Sequence, residues 1–423
     1  MKEDFLHYVW KFQKFDKRDL KTTSGELVQV LNPGRHNFSS GPDFFNAQLT
    51  IANQIWAGNV EIHLKSSHWY THRHEEDHNY DSVILHVVWE HDAEVFRKHN
   101  IAIPVLELKK GVDKTTLENY RKLFSKDQQW INCQNEIASI DSFVLHNWLE
   151  RLFIERLQQK SDSLLIELST LKNHWEALLF QLLCKNFGLN INGSAFLSVA
   201  KSIDFSIVQK CSHNTLQLEA LLFGQAGLLD RDLEDRYCIK LQKTYAFLKY
   251  KHKLVNEMVI SPKFFRLRPP NFPTIRLSQL ASLYSSRPNL FSEIISVKTR
   301  DALYQIFEIS ASSYWDTHFN FGSAVTNRKK KLTKKFIDLL LINTVIPLRF
   351  CYANFVGMDA SEAVLHLARS IPKEENTIVA KFNTLGAVAT HALESQALLQ
   401  LKNNYCDAKR CLECALGNEL LNR

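Results

Sequence analysis

Cysteine is scarce in this sequence, with eight residues among 423, which is too few for a disulfide-based scaffold. The stretch after Met1, KEDFLHYVWKF, lacks the continuous apolar core of a signal peptide. The most apolar run, FIDLLLINTVIPLRF, is interrupted by Asp338, Pro347 and Arg349 and is shorter than the roughly 20 residues that a membrane span needs. These absences predict a reduced, cytoplasmic protein without a membrane-spanning segment.

Repeats of fixed period and low-complexity linkers are also missing from the sequence. A chain of 423 residues is too long for one ordinary core, so two or three domains are expected. The composition is globular, with 45% hydrophobic and 23% charged residues. The formal net charge of +7 favours an anionic partner such as nucleic acid, or reflects only solvated lysines.

Short β-type segments occupy the region from Glu26 to Leu108 and are bounded by turn residues. These segments are ELVQVLN, FNAQLTI, NQIWAGNVEIHLK, SVILHVVWE and IAIPVLELK. Ahead of them, EDFLHYVWKFQ places its apolar side chains mostly on one helical face. The expected order is a helix, three strands, the short polar insertion HRHEEDHNY, and two more strands.

Beyond residue 110 the pattern becomes helical, because apolar residues recur at intervals of three and four, as in SFVLHNWLERLFIERLQQK. A proline-rich loop within SPKFFRLRPPNFPTIRLSQLA interrupts these helices. The sequence therefore predicts an α+β protein. A mixed-sheet domain spans residues 1–110, and a mostly α-helical domain spans residues 111–423.

Two carboxylates stand out in the predicted sheet. Asp43 follows Gly41-Pro42 at the start of one strand, and Glu61 lies within the next strand, in VEIHLK. Strand alternation places Glu61, His63 and Lys65 on one face. Carboxylates that converge from neighbouring strands form the usual site for a divalent cation that activates water beside a phosphate. The alternative is that this face is merely solvated.

The arrangement resembles the PD-(D/E)XK nuclease superfamily, in which an aspartate, a second acidic residue and a lysine on a central hairpin bind magnesium and orient water. The dipeptide PD ending at Asp43 matches the first element. EIH, starting at Glu61, matches the second, with His63 in place of the usual lysine. The resemblance implies Mg²⁺ or Mn²⁺ on Asp43 and Glu61, catalytic roles for His63 and Lys65, and a further carboxylate, Glu3, from the first helix.

Further histidines surround this motif. His72, His74 and His78 are expected in an exposed acidic loop, where His-x-His spacing either chelates a metal or is simply solvated. His86, alone in the apolar run VILHVV, is expected to be a hydrogen-bonded core residue, with a role in the site as the alternative.

Three cysteines close to the end, Cys406, Cys411 and Cys414, form a C-x4-C-x2-C cluster. This spacing predicts a structural zinc or iron–sulfur site, with Cys351 or His391 as the distant fourth ligand. The alternative is three small apolar side chains in a terminal helix. The scattered cysteines are expected to be ordinary core or surface thiols: Cys133, Cys184, Cys211 and Cys238.

Basic residues concentrate in two segments of the helical half, NRKKKLTKK and FRLRPPNFPTIR. Such groups bind phosphates, or only keep a surface solvated or fix a loop. The candidate nucleic-acid-binding residues are Arg266, Arg268, Arg276, Lys329, Lys330 and Lys331.

Five motifs, GPDFFNAQ, GNVEIHLKSSHWYTHRH, RPPNFPTIR, EALLFGQAGLL and YCDAKRCLEC, resemble a family of bacterial proteins that is defined only as a domain of unknown function. We therefore expect a metal-dependent, nuclease-like phosphodiesterase whose helical domain guides a nucleic-acid strand. The alternatives are a non-catalytic nucleic-acid-binding protein on a degenerate nuclease core, or a protein-interaction scaffold.

Overall fold

The computed structural model describes residues 1–125, 129–230 and 234–423. The chain forms two compact units. The first, the sheet unit, comprises Met1–Trp148, Leu385–Ala387 and Leu401–Arg423. The second, the helical unit, comprises Leu149–Thr384 and Val388–Gln400.

The amino-terminal part contains most of the strands of the protein. Its elements are α1 (Glu3–Lys11), β1 (Val28–Asn32), β2 (Arg35–His36), β3 (Phe44–Ile51), β4 (Gln54–Lys65), α2 (His68–Thr71), β5 (Val83–Glu90), β6 (Phe96–Arg97), β7 (Ile101–Ala102), β8 (Val105–Glu107), α3 (Lys114–Phe124) and α4 (Ser142–Thr170). The predicted strand IAIPVLELK is divided between β7 and β8 at Pro104, which has no amide proton for a ladder.

One mixed sheet organises this unit, with strand order β1-β3-β4-β5-β8 and β2 also paired to β3. The β1, β2 and β4 pairings to β3 are antiparallel, whereas β4–β5 and β5–β8 are parallel. The mixed α+β class expected from the sequence is confirmed.

The centre of the sheet is covered on both faces. Residues 60–63 of β4 and 83–88 of β5 are buried, which explains the continuous apolar run in β5. Helix α1 packs against β4 with Phe5, Leu6, Val9 and Trp10 fully buried. Glu61 and His63 of β4 therefore lie inside the protein rather than on a solvated face.

The helical unit follows, and α4 runs on into it. Its further elements are α5 (Trp175–Phe187), α6 (Leu189–Lys201), α7 (Phe205–Cys211), α8 (Thr215–Gln225), α9 (Arg236–His252), α10 (Pro273–Ser286), α11 (Leu290–Ser296), α12 (Arg300–Ile306), β9 (His318–Asn320), β10 (Ser323–Ala324), α13 (Lys334–Leu340), α14 (Ile346–Phe355), α15 (Ser361–Ser370), α16 (Thr377–Thr384) and α17 (Ala392–Gln400). A π-helical turn, Leu341–Val345, joins α13 to α14. The chain then returns to the sheet unit with α18 (Ala415–Leu421).

One apolar helix needs separate mention. Within the described ranges, Lys334–Phe355 is the single helical stretch long and apolar enough to cross a membrane. Its apolar window is 72% buried inside the protein, which is typical of a core helix.

The boundary near residue 110 follows the end of β8 at Glu107, where strands give way to helices. The compact units divide the chain elsewhere, because α3 and the terminal α18 pack together within the sheet unit.

Candidate metal centre and groove

The two candidate carboxylates meet where β3 begins beside β4. Gly41 has φ of +96°, a conformation that costs glycine little because it has no Cβ, and the resulting turn places Asp43 just before β3. The Asp43 N–H donates to Glu61 Oε2 at 3.1 Å, and Asp43 Oδ2 accepts from the Ile62 N–H at 2.9 Å. The structure thus brings Asp43 and Glu61 together.

The Glu61 carboxylate is buried with few hydrogen-bond donors. Glu61 is 4% exposed. Its burial, together with the negative charge of Asp43, raises the pKa of Glu61 to about 9. Among the described residues, the Asp43 amide is its one hydrogen-bond donor, although an ionised carboxylate has about four acceptor positions. A buried anion in this situation requires a proton or a cation.

The polar insertion after β4 folds back over the sheet. Trp69 is fully buried, and its indole N–H donates to Phe96 O at 3.2 Å. The His74 ring stacks on Tyr80 with ring centroids 3.7 Å apart. His74 is 9% exposed, so the expectation of an exposed loop is wrong for this residue, because the two aromatic anchors turn it inward. His78 remains exposed.

Three histidines converge beside Glu61. The ligand nitrogens of His63, His72 and His74 all lie within 4.8 Å of one another, and His63 Nε2 is 3.1 Å from His72 Nδ1. Glu61 Oε1 lies 3.3 Å from His74 Nε2 and 3.6 Å from His63 Nε2. One carboxylate oxygen and three imidazole nitrogens therefore share a small space, which we call the Glu61–histidine cluster.

This cluster fits a divalent transition metal. His74 Nε2 is buried and makes no hydrogen bond. Glu61 Oε1 lies 3.3 Å away from it, but the angles do not suit a hydrogen bond. Ligand bonds of about 2.1 Å in a tetrahedral site separate neighbouring ligands by about 3.4 Å. Three imidazoles and a carboxylate suit zinc or iron, and manganese accepts both ligand types, whereas magnesium prefers oxygen. The other carboxylate oxygen of Glu61, Oε2, accepts from the Asp43 N–H, so Glu61 connects the histidines to Asp43.

His86 orients one member of the cluster. Its Nε2 lies 2.9 Å from His63 Nδ1, which leaves His63 Nε2 directed at the cluster. Burial and neighbouring imidazoles lower the pKa of His63 to about 2, and burial, followed by neighbouring imidazoles, lowers that of His86 to about 3. Both rings are thus neutral at physiological pH, and a neutral imidazole is the form that binds metal. His86 is both a core residue and a support for the site.

His7, on α1, forms the opposite side of the carboxylate pair. Its Nε2 lies 3.2 Å from Asp43 Oδ2. Burial alone lowers the pKa of His7, but hydrogen bonding to Asp43 and the charges of Asp43, Glu3 and Asp4 outweigh it and raise the pKa above 6.5. The sequence pattern did not single out His7, because its partner lies more than thirty positions away along the chain.

A groove with a cavity volume of about 460 Å³ opens beside His7. Its cationic lining residues are Lys2, Lys11, Lys409 and Arg410, against two acidic ones, Asp4 and Glu413. Two aromatic residues of the lining are open to solvent, with Phe38 73% and Phe12 41% exposed. These residues come from three separate segments of the sheet unit, so no local motif indicated the groove.

Two residues assigned catalytic roles from the sequence occupy different surroundings. Lys65 is half exposed, and its Nζ lies 3.6 Å from Asp92 Oδ2. Glu3 Oε1 accepts from the Leu64 N–H at 3.2 Å and lies 3.9 Å from His68 Nδ1. Glu3 thus fixes the end of β4, and its catalytic role stays a prediction.

The basic candidates of the helical unit divide into buried and exposed residues. Arg276 is 6% exposed, stacks over Phe336 at 3.5 Å and donates to Gln279. Lys330 is 8% exposed, and its Nζ donates to Asp316 O at 3.2 Å. These two side chains stabilise the fold instead of presenting charge to a phosphate. The exposed candidates are Arg266, Arg268, Lys329 and Lys331.

The three terminal cysteines do come together in the sheet unit. Cys406, Cys411 and Cys414 line one small cavity, and Cys133 lines it with them. The proposed distant ligands have other partners: Cys351 Sγ donates to Ser161 O at 3.7 Å, and His391 Nε2 lies 3.7 Å from Glu394 Oε2.

Comparison with known proteins gives one family. Residues 3–377 match the model of a family described as a protein of unknown function, DUF2851. The chain belongs to this family. The resemblance expected from the sequence motifs is therefore confirmed, although the DUF2851 match ends before the terminal cysteines. Searches of curated proteins and of solved structures returned no match.

Proposed function

We propose that this DUF2851 protein is a metal-dependent phosphodiesterase that acts on nucleic acid. The observation that carries the proposal is the buried Glu61 carboxylate, which has Asp43 on one side and three histidines on the other. Such a constellation supplies both a cation site and an acid–base group beside it.

The residues of the cluster would divide the work. Glu61, His63, His72 and His74 would hold the metal, and His86 would keep His63 in the required tautomer. A bound divalent ion would lower the pKa of a water molecule and stabilise charge on the scissile phosphate. His7, whose pKa is raised and whose ring is oriented by Asp43, would donate a proton to the phosphate or the leaving oxygen.

Nucleic acid is the substrate class that the groove supports. Its cationic side chains attract a phosphodiester backbone, and the exposed rings of Phe12 and Phe38 offer faces on which unpaired bases can stack. A groove that combines both features favours a single strand over a duplex. We infer action in the reduced cytoplasm, in agreement with eight free cysteines.

The strand arrangement agrees with the nuclease resemblance. A helix precedes an antiparallel β1-β3-β4 set, and β5 pairs with β4 in parallel. Asp43 precedes the second long strand and Glu61 lies in the third, as the resemblance implies. His63 takes the lysine position, and Lys65 pairs with Asp92, so the substitution of histidine for lysine supports the histidine-rich metal site that we propose.

A cleavage assay tests the proposal. Metal-free protein is incubated with a fluorescently labelled single-stranded DNA oligonucleotide, with an RNA equivalent in parallel, in the presence of Mn²⁺ or Zn²⁺. We expect cleavage by the wild type and a loss of at least about 10³-fold in Glu61→Gln, since the metal contributes several kcal/mol to the transition state. His78→Ala is the matched control, because His78 lies on the same loop but is exposed and pairs with Asp81.

Each other outcome selects another function. Salt-sensitive binding without cleavage, retained in Asp43→Ala, would indicate a non-catalytic nucleic-acid-binding protein. The absence of both binding and cleavage would leave the interaction scaffold. Equal cleavage by the wild type and Glu61→Gln would contradict the assignment of this site.

A further inference from the structure

The fourth cysteine of the terminal cluster comes from a distant part of the sheet unit. Cys133 lies in the turn that follows α3, where its carbonyl accepts from the Glu136 and Ile137 N–H groups at 3.1 and 2.9 Å. Together with Cys406, Cys411 and Cys414 it lines a cavity of about 20 Å³. All four side chains are free thiols. The chain thus assembles a complete set of four sulfur ligands from two separated segments.

Hydrogen-bond donors point at these sulfur atoms. Asn132 Nδ2 donates to Cys411 Sγ at 3.5 Å. The N–H groups of Leu416 and Gly417 donate to the Cys414 sulfur. A neutral thiol is a weak acceptor, whereas such donors stabilise the thiolates of a metal centre and tune its potential.

The space around the sulfur atoms is closed. Cys133 and Cys414 are buried, and a Cβ on Gly417 would lie 2.1 Å from Cys411 O, so the backbone fits closely around the cluster. Burial raises the pKa of each of the four thiols. Two buried and two half-buried thiols that face one another would ionise together only with a cation between them.

We propose that Cys133, Cys406, Cys411 and Cys414 hold an iron–sulfur cluster. The C-x4-C-x2-C spacing with one remote cysteine is an established ligand pattern for such clusters. The same four thiolates also suit one tetrahedral zinc, and the metal and sulfide content of the protein distinguishes the two centres.

The cluster joins the end of the chain to the α3 region. Cys406 and Cys414 bracket the segment that contributes Ala408 to Glu413 to the groove. A cluster on these cysteines would therefore fix the groove wall that carries Lys409 and Arg410. Its role would be structural, and it does not depend on the chemistry at Glu61.

Analysis of the full-length protein tests the assignment. The chain is purified without oxygen and reconstituted with ferrous iron and sulfide, and then iron, acid-labile sulfide, zinc and visible absorption are measured. We expect about two to four iron atoms per chain with matching sulfide. Zinc at one per chain without sulfide, or no metal above trace amounts, would overturn the iron–sulfur assignment.

Single substitutions test the role of Cys133. Cys133→Ser and Cys411→Ser should each lose the cluster absorption, whereas Cys351→Ser should keep it, because serine can still donate to Ser161 O. Far-ultraviolet circular dichroism of each variant separates cluster loss from unfolding, and Cys411→Ser provides the test if Cys133→Ser fails to fold. A folded Cys133→Ser protein with the full iron and sulfide content would refute the four-cysteine centre.

Discussion

Two buried glutamates, one in each unit, have opposite surroundings. Glu61 of the sheet unit is 4% exposed and Glu219 of the helical unit is fully buried. Burial raises the pKa of both residues. Glu219, however, accepts from the hydroxyl groups of Ser278 and Tyr237 and from the Trp315 indole at 3.2 Å. Glu61 has one amide donor, a second carboxylate and imidazole nitrogens as neighbours.

The difference shows that burial of a carboxylate does not by itself indicate a functional site. Neutral donors surround Glu219, so its carboxylate is satisfied by the fold and stabilises it. The neighbours of Glu61 include only one backbone amide donor and a second carboxylate, so the fold leaves it dependent on a proton or a cation. The number and kind of donors around a buried acid therefore separate a structural role from a metal-binding role.

The largest expected effect is the loss of stability on changing Glu219. Glutamine has one acceptor oxygen, so its amide hydrogens would face the donors that now bind the carboxylate. We expect Glu219→Gln to lower the free energy of unfolding by about 3 kcal/mol or more, measured by urea denaturation of the metal-free protein. A change below about 0.5 kcal/mol would remove the distinction between the two glutamates.

The second-largest expected effect is the stabilisation by metal, which should differ between variants at Glu61 and at Glu219. With Mn²⁺ or Zn²⁺ at one hundred times its dissociation constant, the wild type should gain about 2.7 kcal/mol of unfolding free energy. Glu219→Gln should gain as much unfolding free energy from the metal as the wild type does, although its metal-free stability is lower. In Glu61→Gln and His74→Ala most of this metal-dependent gain should be lost. His78→Ala is the control on the same loop, and an unchanged gain in Glu61→Gln would place the metal elsewhere.

In the absence of metal, Glu61→Gln should raise the free energy of unfolding, whereas Glu219→Gln should lower it. The glutamine amide can donate to the neutral histidine nitrogens, and glutamine is neutral without the proton that Glu61 must take up on folding at this pH. We expect an increase of about 2 kcal/mol in the free energy of unfolding at pH 8, from the same urea measurement. Destabilisation by this isosteric change would mean that Glu61 is already satisfied.

The pH dependence of metal-free stability sharpens the comparison. The pKa of Glu61 is about 9 in the folded protein against 4.5 as its ordinary value, so the folded state binds more protons between these values and stability falls as pH rises. The lowered pKa values of His63 and His86 change the stability only below about pH 6.5, where these histidines take up protons in the unfolded chain. Between pH 7 and 8.5 we expect the wild type to lose about 1 to 2 kcal/mol more than Glu61→Gln, by denaturation at both pH values. Parallel pH profiles would contradict this assignment.

Lys65→Ala should have the smallest effect. Lys65 is half exposed and paired with Asp92, and exposed ion pairs contribute about 0.2 to 1 kcal/mol. We expect unchanged metal affinity and a loss of cleavage rate below about threefold, measured in the oligonucleotide assay. A loss near that of Glu61→Gln would restore Lys65 to the catalytic role that the nuclease motif implies.

Local patterns in the sequence were sufficient for much of the fold. Strand alternation and turn residues indicated the three successive strands β1, β3 and β4, and the approach of Asp43 to Glu61 across a hairpin followed from them. The apolar run around His86 correctly indicated a buried strand. These features depend on contacts between segments close together in the chain.

Long-range contacts account for what the sequence did not show. His7 reaches Asp43 from α1, Cys133 meets cysteines at the other end of the chain, and no local spacing indicates either contact. Arg276 looked like a phosphate ligand, but it lies in α10 and is buried over Phe336, because the long apolar stem of an arginine can pack inside. His74 looked solvated until the positions of Trp69 and Tyr80 were known.

The most direct test of the central claim is an anomalous diffraction map from a crystal of this protein soaked in Mn²⁺. We expect one peak bounded by Glu61 Oε1, His63 Nε2, His72 Nδ1 and His74 Nε2, at about 2.0 to 2.3 Å from each. A map with no peak at Glu61, at a concentration where manganese stabilises the protein, would contradict a metal site built on this buried carboxylate.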